Sequence, residues 1–198
     1  ECYVSMDNLT VAQVVCDQML EAYPKDKLTC FTLYKLANVF FSKEQYSYAA
    51  NCYTRVLEKY PENEVAEDAC YQLGLCHFKL GNYESARDYF KKLQQQYSNS
   101  SMSELAQYAI AWTYSEEGKF KEAIAEYAKL PSSGELNAEA AYRIGNCWFN
   151  LKGYHNAIES YTKVINSYKG SKLYDASLYQ LAQCYYKHEN YQESQKYF

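Results

Sequence analysis

The side chains of this chain most typical of zinc sites and of thiol or imidazole catalysis are eight cysteines and three histidines. The cysteines form no CxxC pair, and His77, His155 and His188 form neither an HxxxH nor an HExxH motif, so the spacings of common zinc sites are absent. A GxSxG nucleophile elbow and a phosphate-binding glycine-rich loop are also missing. We therefore predict a protein that is not an enzyme and that has no metal site and no cofactor.

The cysteines recur in register instead of in pairs. Cys76, Cys147 and Cys184 each stand two residues after a glycine or alanine in similar segments. Equivalent places in stacked helices are about 8–10 Å apart, whereas a disulfide requires Cα atoms about 5.5–6 Å apart. We interpret these cysteines as buried free thiols, which are typical of a reducing compartment. His77 falls at a core aromatic position, where we expect a satisfied core histidine and not a ligand.

A tyrosine marks one fixed place in a repeat that runs along most of the chain. The spacings between successive tyrosines are 37, 37, 34 and 37 residues. We call these residues the tyrosine ladder: Tyr34, Tyr71, Tyr108, Tyr142 and Tyr179. Each is followed at a constant distance by a second aromatic, a small residue and a third aromatic. A period of this size indicates a stack of like units.

Each unit has the pattern of two helices. Cys70, Leu73, Gly74 and His77 share one helical face, and Gly81 suits the left-handed turn that ends such a helix. First helices are predicted near 30–42, 67–80, 104–117, 138–151 and 175–188. Second helices are predicted near 46–59, 83–96, 120–129, 154–167 and 191–198. The small residues of paired helices, such as Gly74 and Ala86, allow a close approach.

The repeats predict one domain over residues 1–198. We expect a half repeat over 1–24 and repeats over about 30–61, 67–98, 104–131, 138–169 and 175–198. Residues 1–7 would form the end of a first helix. Terminal units of such arrays normally carry a polar cap, and none is recognisable, so the chain is predicted to be a fragment of a longer array.

The repeat resembles the tetratricopeptide repeat family. The pattern LxxLGxxxxxxGxYxxAxxxF occurs as CYQLGLCHFKLGNYESARDYF from Cys70 to Phe90 and as AYRIGNCWFNLKGYHNAIESY from Ala141 to Tyr161. The segments YPENEVAEDACYQLG and YKGSKLYDASLYQLA are similar to the extended repeats of bacterial envelope proteins, such as the Tol–Pal partner and the outer-membrane β-barrel assembly lipoprotein. The resemblance implies an all-α, right-handed superhelix of about five helix pairs plus an N-terminal half repeat.

The resemblance also implies a concave groove lined by first helices. The tyrosines stand two residues before a core Leu or Ile, about 200° around the helix, and therefore face away from it. The predicted groove residues are Tyr34, Asn38, Phe41, Tyr71, Leu75, Phe78, Tyr108, Trp112, Tyr142, Asn146, Phe149, Tyr179 and Gln183. The ladder could pack neighbouring helices or also contact a ligand, and both readings stay open. Specificity is expected where the pattern departs from regularity, at Leu75, Trp112 and Ser115.

These patterns favour a scaffold that binds a peptide or partner helix in an aromatic groove. Self-assembly through exposed solenoid ends, giving a homo-oligomer, is the alternative, as is a role as the docking part of a larger enzyme or envelope-assembly complex. The net charge of −4 without a basic block argues against nucleic acid. No apolar run reaches the roughly 20 residues of a membrane span. The cysteines favour a bacterial cytoplasm, whereas the envelope resemblance favours the periplasm or cell envelope.

Overall fold

The computed structural model describes residues 9–24, 26–97, 100–131 and 135–197, without the side chains of residues 9, 10 and 135. These ranges contain eleven α-helices and no β-strand. The helices are α1 (Leu9–Ala22), α2 (Lys27–Ser42), α3 (Tyr46–Lys59), α4 (Ala66–Lys79), α5 (Tyr83–Gln96), α6 (Ser103–Glu116), α7 (Phe120–Tyr127), α8 (Glu135–Asn150), α9 (Tyr154–Ser167), α10 (Tyr174–Lys187) and α11 (Tyr191–Tyr197). The predicted all-α fold is confirmed.

The chain divides into two compact units, residues 1–103 and residues 104–198. In the first unit, α1 packs on α2, α2 on α3, α3 on α4 and α4 on α5. In the second unit, α7 packs on α8, α8 on α9, α9 on α10 and α10 on α11. Helices that follow each other in sequence are therefore neighbours within each unit, as short connections require.

One face of each second helix forms the core. In α9, Ala157, Tyr161 and Val164 follow each other at i, i+4 and i+7, and all are fully buried. The same face of α3 and α5 is equally buried; its residues are Ala49, Tyr53, Val56, Ala86, Phe90 and Leu93. Burial of each large side chain contributes about 1.5–3 kcal/mol. Helices of this length are marginal alone, so this packing holds them.

Glycines allow paired helices to approach closely, as the sequence predicts. A Cβ atom on Gly145 would lie 2.6 Å from Cε1 of Tyr161. A Cβ atom on Gly74 would lie 2.5 Å from Cε1 of Phe90. The ring of the second helix thus rests directly on the backbone of the first.

The turn between paired helices requires one residue with left-handed backbone. Gly81, between α4 and α5, has φ of 77°, and Gly118, between α6 and α7, has φ of 79°. Glycine adopts this conformation without a Cβ penalty. The helix end predicted at Gly81 is confirmed. The other three turns carry a non-glycine residue with positive φ, namely Glu44, Lys152 and Glu189.

Helix bounds agree with the sequence prediction at α3, α5 and α9 and differ elsewhere by up to three residues. α2 begins at Lys27 and not near residue 30, because the side chain of Asp26 caps it by accepting a hydrogen bond of 2.9 Å from the Leu28 amide. α8 begins at Glu135 and not near residue 138. Apolar periodicity does not predict this first turn, because Asn137 is polar although it is buried in the structure.

α7 ends at Tyr127 and not near residue 129. After Tyr127 the hydrogen bonds tighten to three-residue spacing, from the Lys129 amide to the Glu126 carbonyl and from the Leu130 amide to the Tyr127 carbonyl, each 3.2 Å. Pro131 then stops the chain from continuing the helix. The second helix of this repeat is therefore shortened, as its spacing of 34 residues predicts.

The cysteines within the described residues are free and buried, as predicted. They are Cys16, Cys30, Cys52, Cys70, Cys76, Cys147 and Cys184. The expectations for residues 1–7, for Cys2 and for Phe198 concern residues outside the described ranges.

Candidate functional site

The thirteen predicted groove residues share one property: none of them is buried in the structure. Twelve are partly exposed, and Tyr179 is 53% exposed. By contrast, Leu36 and Leu73, two residues after a ladder tyrosine, are almost fully buried. In each unit, then, the first helices keep an aromatic and amide surface at the edge of the core. In unit one it involves α2 and α4, and in unit two α6, α8 and α10.

Each of the first four ladder tyrosines packs against the buried aromatic ring of its own second helix. The ring centroids of Tyr34 and Tyr53 are 6.1 Å apart, and those of Tyr108 and Tyr127 are 5.4 Å apart. The remaining pairs are Tyr71 with Phe90 at 5.4 Å and Tyr142 with Tyr161 at 5.8 Å. The tilted and edge-on geometries are the favourable ones for aromatic pairs. These tyrosines therefore stabilise the repeat whatever else they contact.

The hydroxyls of two ladder tyrosines bond to carboxylates of the next first helix. Tyr34 donates to Asp68, and Tyr108 donates to Glu139 at 3.2 Å. Glu139 also accepts from Nε of Arg143 at 3.0 Å. Burial, more than the neighbouring charges, raises the pKa of the Tyr108 hydroxyl to about 12, so it remains a donor at neutral pH.

Sequence reasoning missed Asp68 and Glu139 as partners of the ladder. Each stands three residues before the next ladder tyrosine, and this spacing is a signal that could have revealed them. Three residues is close to one helical turn, so the carboxylate lies one turn from the next tyrosine. Two other repeats carry Leu105 and Ala176 at this position, which obscures the pattern.

We call the place four residues after each ladder tyrosine the amide position. In three repeats its residue type corresponds to the buried ring of the second helix: an asparagine stands where the ring has a hydroxyl, and a leucine stands where it has none. Asn38 accepts a hydrogen bond from the hydroxyl of Tyr53. Asn146 accepts one of 2.7 Å from the hydroxyl of Tyr161. Leu75 stands in the repeat whose ring is Phe90, which has no hydroxyl to satisfy.

Trp112 breaks this match. The ring below it belongs to Tyr127, which is 1% exposed, and the hydroxyl of Tyr127 has no hydrogen-bond partner among the described residues. The indole Nε1 of Trp112 donates instead to Glu116 at 2.9 Å. A buried unpaired hydroxyl costs about 1–3 kcal/mol. With Trp112 at the amide position, this repeat is therefore expected to be less stable than one with asparagine there.

The position seven residues after the ladder tyrosine holds a ring that packs on the start of the second helix. Phe41 lies 5.3 Å from Tyr46 and Phe149 lies 5.6 Å from Tyr154, between ring centroids. Phe78 pairs with Tyr83 in the same way at 5.8 Å. Ser115 replaces this ring in α6, and its hydroxyl lies 3.6 Å from the sulfur of Cys147.

His77 is a partly buried residue stacked on Tyr89, with ring centroids 5.2 Å apart. Burial lowers its pKa. The expectation of a fully satisfied histidine is wrong in one respect, because Nδ1 is buried and bonds to no described residue. Among the described residues, no group of three or more His, Cys, Asp or Glu side chains could hold a metal ion. In the same ranges, every helix is too short or too polar to cross a membrane.

Solved structures with this arrangement of helices cover most of the chain. The crystal structure of the MamA protein is 20% identical, covers 85% of this chain and 87% of that one, and has a TM-score of 0.69. A tetratricopeptide repeat protein from Parabacteroides merdae is 14% identical over 98% of this chain and 73% of that one, with a TM-score of 0.70. YrrB, a protein with an unusual peptide-binding site, is 19% identical over 92% and 88%, with a TM-score of 0.63.

The family model named Tetratricopeptide repeat matches residues 34–101 and 108–172. No curated protein matches the chain. The matched ranges span the ladder from Tyr34 to Tyr142 together with the helix pairs described above, and they cover more than half of the sequence. The chain is therefore a member of the tetratricopeptide repeat family.

Proposed function

We propose that this chain is a non-catalytic scaffold that binds an extended peptide or a partner helix on the aromatic surface of its first helices. Proteins of this family bind protein or peptide partners. The observation that carries the proposal is the exposure of the predicted residues. Nine aromatic side chains recur at helical spacing, and none is buried although the core lies two residues away.

The chemistry of this surface supports a peptide ligand. Aromatic rings offer a large apolar contact area at a small entropic cost, and they are enriched among residues that dominate binding energy. The amide groups of Asn38, Asn146 and Gln183 are partly exposed. Asn146 uses its carbonyl oxygen within the repeat, which leaves its N–H groups to donate to a peptide carbonyl.

Trp112 and Tyr179 are the residues on which a test should focus. Tyr34, Tyr71, Tyr108 and Tyr142 pack on buried rings, so their replacement would also destabilise the repeat. Tyr179 is 53% exposed, and Trp112 occupies a position that stability alone would give to asparagine. Partners would be captured with wild type, Trp112→Ala and Tyr179→Ala, and quantified by mass spectrometry.

The matched control is Tyr48→Ala, because Tyr48 is an aromatic residue of α3 that is 54% exposed and stands outside the proposed surface. We expect the same partners to be lost with Trp112→Ala and Tyr179→Ala and retained with Tyr48→Ala. Circular dichroism and thermal melting would establish that all three variants fold. Retention of every partner by folded Trp112→Ala and Tyr179→Ala would refute the surface.

Self-association is a second candidate, favoured by exposed apolar side chains on the first and last helices. Val14 is 51% exposed and Tyr191 is 58% exposed. Sedimentation of wild type and of Val14→Ser and Tyr191→Ser variants would test it. A concentration-dependent dimer that either variant weakens supports this candidate, and a monomer at high concentration rejects it.

A further inference from the structure

His77 occupies a place in the repeat that an uncharged aromatic ring fills in the other four ladder repeats. The place is six residues after the ladder tyrosine, and His77 follows Tyr71 at this distance. The rings in the other repeats are Phe40, Tyr114, Trp148 and Tyr185. These rings carry no charge near neutral pH, whereas an imidazole takes up a proton at about pH 6.5. The sequence thus places a group that can become charged in a column of neutral rings.

His77 packs against its second helix in the same way as the tyrosine of the last repeat. Its ring is stacked on Tyr89 of α5, with centroids 5.2 Å apart and an angle of 11° between the planes. Tyr185 is stacked on Tyr197 of α11, with centroids 5.8 Å apart and an angle of 8°. Tyr89 and Tyr197 each stand eighteen residues after their ladder tyrosine. The imidazole is therefore part of the packing between a first helix and its second helix.

One nitrogen of this imidazole has no partner even in the neutral ring. Nδ1 of His77 is buried and makes no hydrogen bond to a described residue. A protonated imidazole carries an N–H group on both nitrogens, so protonation leaves a charged donor buried without an acceptor. Leaving a buried group unpaired costs more when the group is charged. The folded first unit therefore favours the neutral form of His77.

Neighbouring charges do not offset this cost. Within the first unit, α4 packs on α3 and α5. Burial, and then the charges of Cys70 in α4 and Glu58 in α3, raise the pKa of the Tyr89 hydroxyl. The pKa of His77 is lowered by burial alone, so these groups do not stabilise an imidazolium. The last turn of α4, where His77 lies, favours a cation through the helix dipole, and burial outweighs this effect.

The pH dependence of the packing has a definite direction. The unfolded chain takes up a proton at His77 at about pH 6.5, and the folded chain does so only at lower pH because burial lowers the pKa. The stabilisation by the neutral imidazole is therefore complete above about pH 6.5 and is lost as the pH falls through the folded pKa. Between these two values the equilibrium constant for unfolding increases up to about 10-fold per pH unit.

We propose that His77 makes the contact between α4 and α5 acid-sensitive, so that the first unit loosens at mildly acidic pH through protonation of this one side chain. The second unit has no such device among its described residues, because His155 and His188 are exposed and its equivalent stack consists of two tyrosines. The inference does not depend on the function proposed above, since it concerns the packing of the fold.

Proton NMR titration measures the pKa of His77 directly. The Cε1 proton of His77 would be assigned by its absence from the spectrum of a His77→Phe variant. We expect a pKa below 6.5, because burial of Nδ1 disfavours the charged ring. A pKa at or above 6.5 would overturn the proposal, since folding would then not oppose protonation.

Amide hydrogen exchange at pH 7.5 and pH 5.5 tests where the effect acts. Protection factors of amides in α4 and α5 should be lower at pH 5.5, by up to about 10-fold for each pH unit below 6.5. Amides of α9 and α10 in the second unit should change less. The interval lies above the ordinary pKa values of Asp and Glu, so carboxylates contribute little to the difference.

Two ring variants and one control assign the effect to His77. His77→Phe and His77→Tyr introduce the rings of Phe40 and Tyr185, which do not titrate in this interval. Each variant, once shown to fold by circular dichroism, should remove the additional loss of protection in α4 and α5. His188→Gln changes an exposed histidine at the end of α10 and should preserve it.

Two results of the exchange experiment would contradict the proposal. One is an equal loss of protection in wild type and in the folded ring variants. The other is an equal loss in the two units of wild type. If neither ring variant folds, the pKa from the titration and the comparison of the two units of wild type decide the question.

Discussion

The hydroxyl of Tyr161 donates a hydrogen bond of 2.7 Å to Oδ1 of Asn146, one helix away in the same repeat. Tyr53 and Asn38 form the same bond in the first unit. The equivalent ring of Tyr127 lies in a repeat with Trp112 at the amide position, and its hydroxyl has no hydrogen-bond partner in the part of the chain that the structure describes. The asparagines at the amide position thus stabilise their repeats through a hydrogen bond, whereas Trp112 at the same position does not.

Removing the hydroxyl should affect stability differently in these two repeats. Tyr161→Phe leaves Asn146 without its donor, so we expect the free energy of unfolding to fall by about 1 kcal/mol. Tyr127→Phe removes an unpaired buried hydroxyl, so stability should be unchanged or higher by up to about 1 kcal/mol. Urea denaturation measures both values. Equal losses in the two variants would contradict the assignment of the bond.

The hydrogen bond between the second-helix hydroxyl and the amide position can also be tested in the repeat of Phe90 and Leu75, which lacks both groups. Phe90→Tyr places a hydroxyl near Leu75 without an acceptor, and we expect a loss of about 1–3 kcal/mol. The double variant Phe90→Tyr, Leu75→Asn should recover part of that loss, because asparagine supplies the acceptor. If the double variant loses more free energy of unfolding than the two single variants lose together, the amide position does not act through this bond.

A larger residue at Gly145 should destabilise the second unit. A Cβ atom would lie 2.6 Å from the ring of Tyr161, and overpacking costs about 1–3 kcal/mol. Gly145→Val should lower the free energy of unfolding by at least that amount, as measured in urea. Asn150→Val, at an exposed position of the same helix, is the control for the helix propensity of valine and should cost less.

Stability should decline in alkaline solution. Burial raises the pKa of the Tyr108 hydroxyl from 10.0 to about 12, and burial raises the pKa of the Cys52 thiol from 9.0 to about 12. The unfolded chain therefore loses these protons at lower pH than the folded chain. Their stabilisation is complete below about pH 9 and is lost as pH rises towards 12, with a slope of up to about 1.4 kcal/mol per pH unit for each group.

Urea denaturation between pH 8 and pH 11 would measure this decline. Cys52→Ala should make the decline shallower between pH 9 and pH 11, because it removes one group that the fold keeps protonated. A free energy of unfolding that is constant across this interval would contradict the burial of these groups.

The buried thiols should react slowly in the folded protein. Burial raises the pKa of Cys30 from 9.0 to about 11. At a fixed pH below both values, this increase in pKa lowers the thiolate fraction about 100-fold. In a Cys2→Ser variant, an aromatic disulfide reagent at pH 8 should modify the folded chain at least about 100-fold more slowly than the urea-unfolded chain. Rapid modification of one equivalent or more would show that a thiol is accessible.

Local pattern was sufficient to predict the helices and the division between core and surface. The bounds of α3, α5 and α9 agree with the sequence prediction to the residue, because aromatic starts and Pro or loop ends are local signals. Leu73 is fully buried and Tyr71, two residues before it, is partly exposed, as helical periodicity predicts. Which groove residues bind a partner stays a prediction, since exposure alone does not identify a ligand.

Contacts between helices could not be predicted in the same way. The bond from Tyr108 to Glu139 joins residues 31 positions apart, and the two side chains meet only when neighbouring repeats stack. The lack of a partner for the Tyr127 hydroxyl among the described residues likewise depends on how neighbouring helices pack around it.

The sequence by itself determined the family, the all-α repeat and the face on which each tyrosine stands, because a period of 37 or 34 residues and a helical period of 3.6 are properties of the chain alone. The tertiary structure decided which hydroxyls are paired, which rings cover the backbone of a glycine and where space remains. These depend on distances of a few ångströms between side chains of different helices, and side-chain packing resolves such distances only after the helices have docked.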